Sequence, residues 1–259
     1  MWQRYLFVLA SLIPAFVVAE EGWIELFNGQ NLEGWIPKIR GEEPGQDKSQ
    51  TFRVMDGRIA VAYDGYEQFG DRFGHLFFKR PYSDYRLQLE YRFVGGQTPG
   101  APDWAFRNSG LMVHSQVPST MPAAQDFPIS IEVQFLGGRG DGKERPTANM
   151  CSPGTHIVYQ GAFTDTHCIP SSAPTFHGDE WVQIEVRVEE DRLVEHRVNG
   201  QLVMTYGGLT TGGGVVSGHR PGMKPEGAPL KSGYISLQSE GHPIEFRNIR
   251  ILDLSKPKD

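Results

Sequence analysis

Three things are scarce in this chain of 259 residues: cysteine, an excess of positive charge, and any helical repeat of apolar residues. Lys and Arg number 25 against 31 Asp and Glu, a formal net charge of −6. Such a surface exerts no pull on a phosphate backbone, so nucleic acid is set aside as a partner. The Gly-x-Ser-x-Gly elbow, the Walker-type loop and the His-x-x-x-His pair do not occur. The stretch "GGLTTGGGVVSG" (207–218) is rich in glycine but lacks the lysine and the strand-to-helix setting of a phosphate cradle, so no nucleotide cofactor is expected.

What hydrophobic length the chain has lies at its start. "MWQRYLFVLASLIPAFVVA" (1–19) carries a basic Arg4, an apolar run from Tyr5 to Val18, and small side chains at Val17 and Ala19. This is the pattern of a secretory signal cleaved after Ala19, which predicts an exported protein, periplasmic or secreted, without stable membrane insertion. An uncleaved anchor is the rival reading of the same run.

Beyond the signal, apolar residues recur with period two. "YRLQLEYRF" places Tyr85, Leu87, Leu89, Tyr91 and Phe93 on one face and Arg86, Gln88, Glu90 and Arg92 on the other, as a half-buried strand requires. "WVQIEVRVEEDRLVEHRVNGQLVMTY" repeats the alternation and reverses at "EED" and at "NG", the strongest short hairpin signal. Breaker-rich segments at 37–50, 95–104 and 207–229 separate strands without dividing two cores. The reading is all-β: antiparallel sheets in one sandwich domain over residues 20–255.

The two cysteines, Cys151 and Cys168, lie in one segment, and an exported protein meets an oxidising compartment. A bridge between them is expected; closing a loop of that length stabilises by ~3 kcal/mol in the chain-entropy model. The alternative is a thiolate nucleophile or metal ligand at Cys151.

On "ISIEVQFL" (129–136), Ser130, Glu132 and Gln134 share one face and Ile131, Val133 and Phe135 the other, so a polar row faces a cleft while an apolar row feeds the core. "NSGLMVHSQ" places Asn108, Met112 and His114 together, which predicts His114 in the same cleft as Glu132. "SPGTHI" presents His156, and "LQSEGH" presents Gln238, Glu240 and His242. Trp104 and Phe106 stand ready as a stacking platform for a pyranose face. Each has a plainer role beside it: a strand histidine is readily a packing residue, His167 is positioned by its cysteine neighbour, and Glu240 sits beside a turn.

Four phrases in order carry a resemblance: "ELFNGQNLEGW", "NSGLMVHSQ", "IEVQFLG" and "GYISLQSEGHPIEFRNIRIL". Together they resemble the 3-keto-disaccharide hydrolase family over Trp23 to Leu254, which implies a concanavalin A-like jelly-roll sandwich acting on sugars whose C3 hydroxyl has become a ketone. His114 stands where the family more often has Arg. The strand also resembles that of lichenase-type endoglucanases, but Ser130 and Gln134 replace the two flanking carboxylates, so the two-carboxylate retaining mechanism lacks its second group on this strand. Glu240 is the best-placed substitute.

A 3-keto sugar needs less. Its acidic C2 proton can be taken by a base, and the enolate expels the C1 substituent; water can add back to give net hydrolysis. Glu132, His114 and His156 are the expected catalytic residues. Asn108, Gln134, Trp104, Gln238 and Glu240 are the expected contacts to an oligosaccharide or glycoside substrate. Histidines with carboxylates also match the donor set of a divalent metal. The alternative function is a non-catalytic carbohydrate-binding module on the same fold.

Overall fold

The computed structural model describes residues 22–255, so the expected signal segment lies outside the described residues. Among the described residues, seventeen strands, numbered in chain order, form two antiparallel sheets. The first contains β1 (Trp23–Glu25), β3 (Phe52–Met55), β4 (Arg58–Val61), β6 (Asp84–Phe93), β10 (Thr155–Tyr159), β11 (Ala162–Thr164), β13 (Val182–Glu189), β14 (Leu193–Val198), β15 (Gln201–Thr211) and β17 (Ile244–Asp253). The second contains β2 (Trp35–Ile39), β5 (Gly74–Phe78), β7 (Asn108–Ser115), β8 (Ile131–Leu136), β9 (Asn149–Cys151), β12 (Cys168–Ile169) and β16 (Tyr234–Ser239).

The alternation in β6 holds residue by residue: Tyr85, Leu87, Leu89, Tyr91 and Phe93 are buried between the sheets while the intervening residues are half-buried. At "NG", Asn199 and Gly200 have φ of 48° and 81°, the paired positive values of the two-residue hairpin turn that twists with its strands. Facing strands lock through aromatic contacts. Tyr91 of the first sheet stacks on Phe135 of the second at 4.4 Å and 7°. Such a pair contributes about 1 kcal/mol beyond its buried area.

That packing decides which way β8 faces. Ile131, Val133 and Phe135 enter the core, so Glu132 and Gln134 emerge on the far face of the second sheet. Across that face β8 lies between β7 and β9, and β7 pairs in turn with β16.

Candidate functional site

A cleft of about 480 Å³ opens on this far face, with Glu132 and Gln134 of β8, Asn108 of β7 and Glu240 just beyond β16 in its wall. Trp104 reaches it from a single 3-10 turn, Asp103–Ala105, and Phe127, Arg139, Arg145 and His167 reach it from loops. Five residues expected from sequence are therefore brought together: Trp104, Asn108, Glu132, Gln134 and Glu240.

Glu132 projects over β7, where its register partner is Met112 and the next residue on the same face is Gly110. A Cβ on Gly110 would stand 2.6 Å from Glu132 Oε1, so the missing side chain is the space the carboxylate uses. A lone glycine inside a strand pattern was the sequence signal for this close approach. Glu132 Oε1 and Glu240 Oε2 are both buried and carry no hydrogen bond within the protein. Burial pushes the Glu132 carboxyl up to about 8. Burial first, and then the charge of Glu132, push Glu240 well above the usual carboxylate range, with Arg145 opposing. Two buried carboxyls that raise one another's pKa do not both ionise cheaply.

The amides complete the floor. Gln134 Oε1 accepts from Asn149 Nδ2 at 3.1 Å, which turns its own NH₂ toward the cleft. Arg145 donates to the carbonyls of Arg107, Gly137 and Trp104 at 3.1, 2.6 and 3.2 Å, fixing the loop that carries Trp104. Trp104 stacks on Phe73 at 5.8 Å and 16° yet remains 49% exposed, so its outer face is free for a ring. Sequence reasoning did not find Arg145 or Phe127, because both reach the cleft from breaker-rich loops that carry no periodicity.

Gln238 is not in the cleft wall. It lies fully buried in β16 opposite His75, and neither side chain has a polar partner. His242, also unpartnered, sits edge-on between Phe93 and Phe106 and is pushed down to about 4 by burial and then by Arg107 and Arg145.

Two further expectations are corrected in position. His114 does not share the cleft. Between Met112 and Ser115 strand β7 spends three residue steps against two on β16, a bulge at which His114 adopts φ 51°. The extra residue reverses the alternation, and His114 turns to the core, with its Nε2 2.9 Å from the Glu190 carbonyl and its ring edge-on to Tyr85. His156 belongs to β10 of the first sheet, where it meets Glu226 at 2.9 Å and packs on Phe163.

Dispersal of these histidines also dissolves the expected metal donor set. Among the described residues, the one grouping of three His, Cys, Asp or Glu donors is Cys151, His167 and Cys168, within 4.8 Å of one another. The two sulfurs are joined as the expected disulfide, which leaves neither as a thiolate.

An antiparallel jelly-roll sandwich whose outer face carries an acid pair, amides and an exposed indole is a carbohydrate-active architecture. The chain belongs to the family of 3-keto-alpha-glucoside-1,2-lyase-like domains, whose model matches residues 22–252. Among solved structures it is similar to two proteins from Parabacteroides distasonis ATCC 8503, each described as a "putative glycosyl hydrolase". One is 19% identical with TM-score 0.50, covering 92% of this chain and 98% of that one. The other is 20% identical with TM-score 0.49, covering 90% and 99%. A Bacillus subtilis protein of unknown function with a galectin-like fold is 11% identical with TM-score 0.48, covering 86% and 90%. No curated protein matches the chain.

Proposed function

We propose that the protein cleaves the glycosidic bond of 3-keto-glycosides, including 3-keto-disaccharides, by elimination across C1 and C2. The observation that carries this reading is the Glu132–Glu240 pair: two buried carboxyls in the wall of one cleft, both pushed above the usual carboxylate range, so that one can act as a base while the other keeps its proton. Glu132, which shares its face of β8 with Gln134, takes the C2 proton. The electron pair of the broken C2–H bond passes into the enolate on O3, and the NH₂ of Gln134 stabilises that charge. As the C3 ketone re-forms, C1=C2 closes and the C1–O bond breaks, with Glu240 protonating the departing oxygen. The products are a 1,2-unsaturated 3-keto sugar and the free alcohol. Water adding its oxygen to C1 and a proton to C2 converts the sequence into net hydrolysis.

Family membership supports the choice of a 3-keto substrate. The same acid pair favours one other reading. A conventional glycosidase needs a second carboxyl beside Glu132, and Glu240 supplies it. The two readings part on the substrate, since a conventional glycosidase acts on unoxidised sugars. A binding module would need no acid pair; calorimetric titration with saturable heat and no new product would favour it. Loss of turnover in Glu132→Gln on a 3-keto-glycoside tests the proposal, and wild-type turnover in that variant contradicts it.

A further inference from the structure

One group in the cleft has no part in that chemistry. His167 lies in the wall with Glu132 and Glu240. Its Nδ1 is buried without a hydrogen-bond partner, although the ring as a whole is only half-buried. Burial holds the imidazole below its usual pKa, opposed by the backbone of Ser152, so at neutral pH it offers one lone pair and one N–H. The exposed part of the half-buried ring stands in the cleft wall, where a ligand hydroxyl can meet it.

How this ring reaches the cleft is specific to the chain. His167 precedes β12, a strand of two residues paired only to β9, with Cys168 opposite Cys151 and Ile169 opposite Met150. Cys151 is in turn the register partner of Glu132. The disulfide therefore ties the residue after His167 to the strand next to the Glu132 carboxylate. The His167 carbonyl adds a second tether, accepting from Ser152 N at 2.8 Å and Ser152 Oγ at 3.3 Å. Beyond that strand pairing the next anchor is Ser171, bonded to Asn149 Oδ1 and to the Thr147 carbonyl.

We infer that His167 is a saccharide-binding residue of the cleft, hydrogen-bonded to a ligand hydroxyl, and that the Cys151–Cys168 disulfide is the device that holds it there. The inference rests on the reading of the cleft as a saccharide site. It does not depend on which bond is cleaved.

The test is a coupling measurement on the full chain. Kd for trehalose by calorimetry and kcat/KM for 3-keto-trehalose are measured for wild type and His167→Ala, each oxidised and after reduction with dithiothreitol. Reduction is preferred to cysteine substitution because Cys168 itself lines the cleft. Losing one ligand hydrogen bond predicts a Kd raised about tenfold and a kcat/KM lowered about tenfold, chiefly through KM. Reduction should produce the same loss in wild type and add nothing in His167→Ala, because both changes remove the same contact. Circular dichroism on the reduced protein separates loss of fold from loss of the contact, and His167→Gln, which restores a hydrogen-bonding group, should recover part of the affinity. Unchanged Kd in His167→Ala, or full additivity with reduction, overturns the inference. Wild type that binds trehalose but cleaves nothing contradicts the cleavage reading, while the Kd arm still decides the role of His167. Wild type that binds neither sugar contradicts both.

Discussion

Glu132 and Gly110 are complementary: the carboxylate of one occupies the place a side chain on the other would take, with only 2.6 Å between Oε1 and that Cβ position. Gly110 has no unusual backbone conformation to protect, so an alanine there acts on the carboxylate alone. Gly110→Ala is expected to lower kcat about a hundredfold, the cost of misplacing a reacting group by roughly an ångström. Thermal melts should show a folded protein. Wild-type kcat in this variant would contradict the placement of the base.

Substituting the base itself should cost more. Glu132→Gln keeps the shape and removes the proton acceptor, for which a loss of about 10²–10⁴ in kcat is expected. Steady-state rates with a 3-keto-glycoside, alongside far-UV circular dichroism, measure it.

The raised carboxyl also sets a pH signature with a defined sign. Glu132 moves from 4.5 to about 8 on folding, so between those values the folded chain holds a proton that the unfolded chain has lost. Its contribution to stability is complete below about pH 4.5 and is lost as pH rises through about 8. Tm should fall across that window in wild type and fall less in Glu132→Gln. Activity should run the other way, rising as Glu132 ionises and declining again once Glu240 loses its proton. A kcat/KM profile that is flat from pH 6 to 9 would count against the pair.

Trp104 rests one face on Phe73 and offers the other to the cleft. Trp104→Ala should raise KM about tenfold, in line with the loss of ~1 kcal/mol of ring contact. In wild type, tryptophan fluorescence should change on titration with a disaccharide, and the change should shrink in the variant.

His114 gives the contrasting case. It is buried against Tyr85 and Glu190, so His114→Ala should destabilise by about 1–3 kcal/mol while the folded fraction keeps its kcat. Urea melts and kcat per folded molecule measure the two effects separately.

The contrast between Glu132 and His114 marks where sequence periodicity holds and where it fails. Alternation along "ISIEVQFL" is continuous, and Glu132, Gln134 and the core face of β8 follow from it. In "NSGLMVHSQ" a single extra residue at the bulge reverses the face, and nothing in the composition of the segment announces it. His156 was misplaced for a different reason: its strand joins the first sheet, a pairing that depends on β15 more than fifty residues later. The cysteine bridge was legible because two cysteines close together in one segment have one simple use. Arg145, Phe127 and the reach of His167 come from loops, whose paths are set by tertiary contacts such as Arg145 to the Trp104 carbonyl rather than by local pattern.

The most direct measurement is an incubation of the purified protein with 3-keto-trehalose and with trehalose, following products by mass spectrometry and repeating the first with deuterium at C2. The account predicts cleavage of the oxidised sugar alone, release of a 1,2-unsaturated 3-keto product or its hydrate, and a slower rate with deuterium. Cleavage of trehalose at a comparable rate, or of the 3-keto sugar with no isotope effect and no unsaturated product at any time, would contradict elimination from the Glu132–Glu240 cleft.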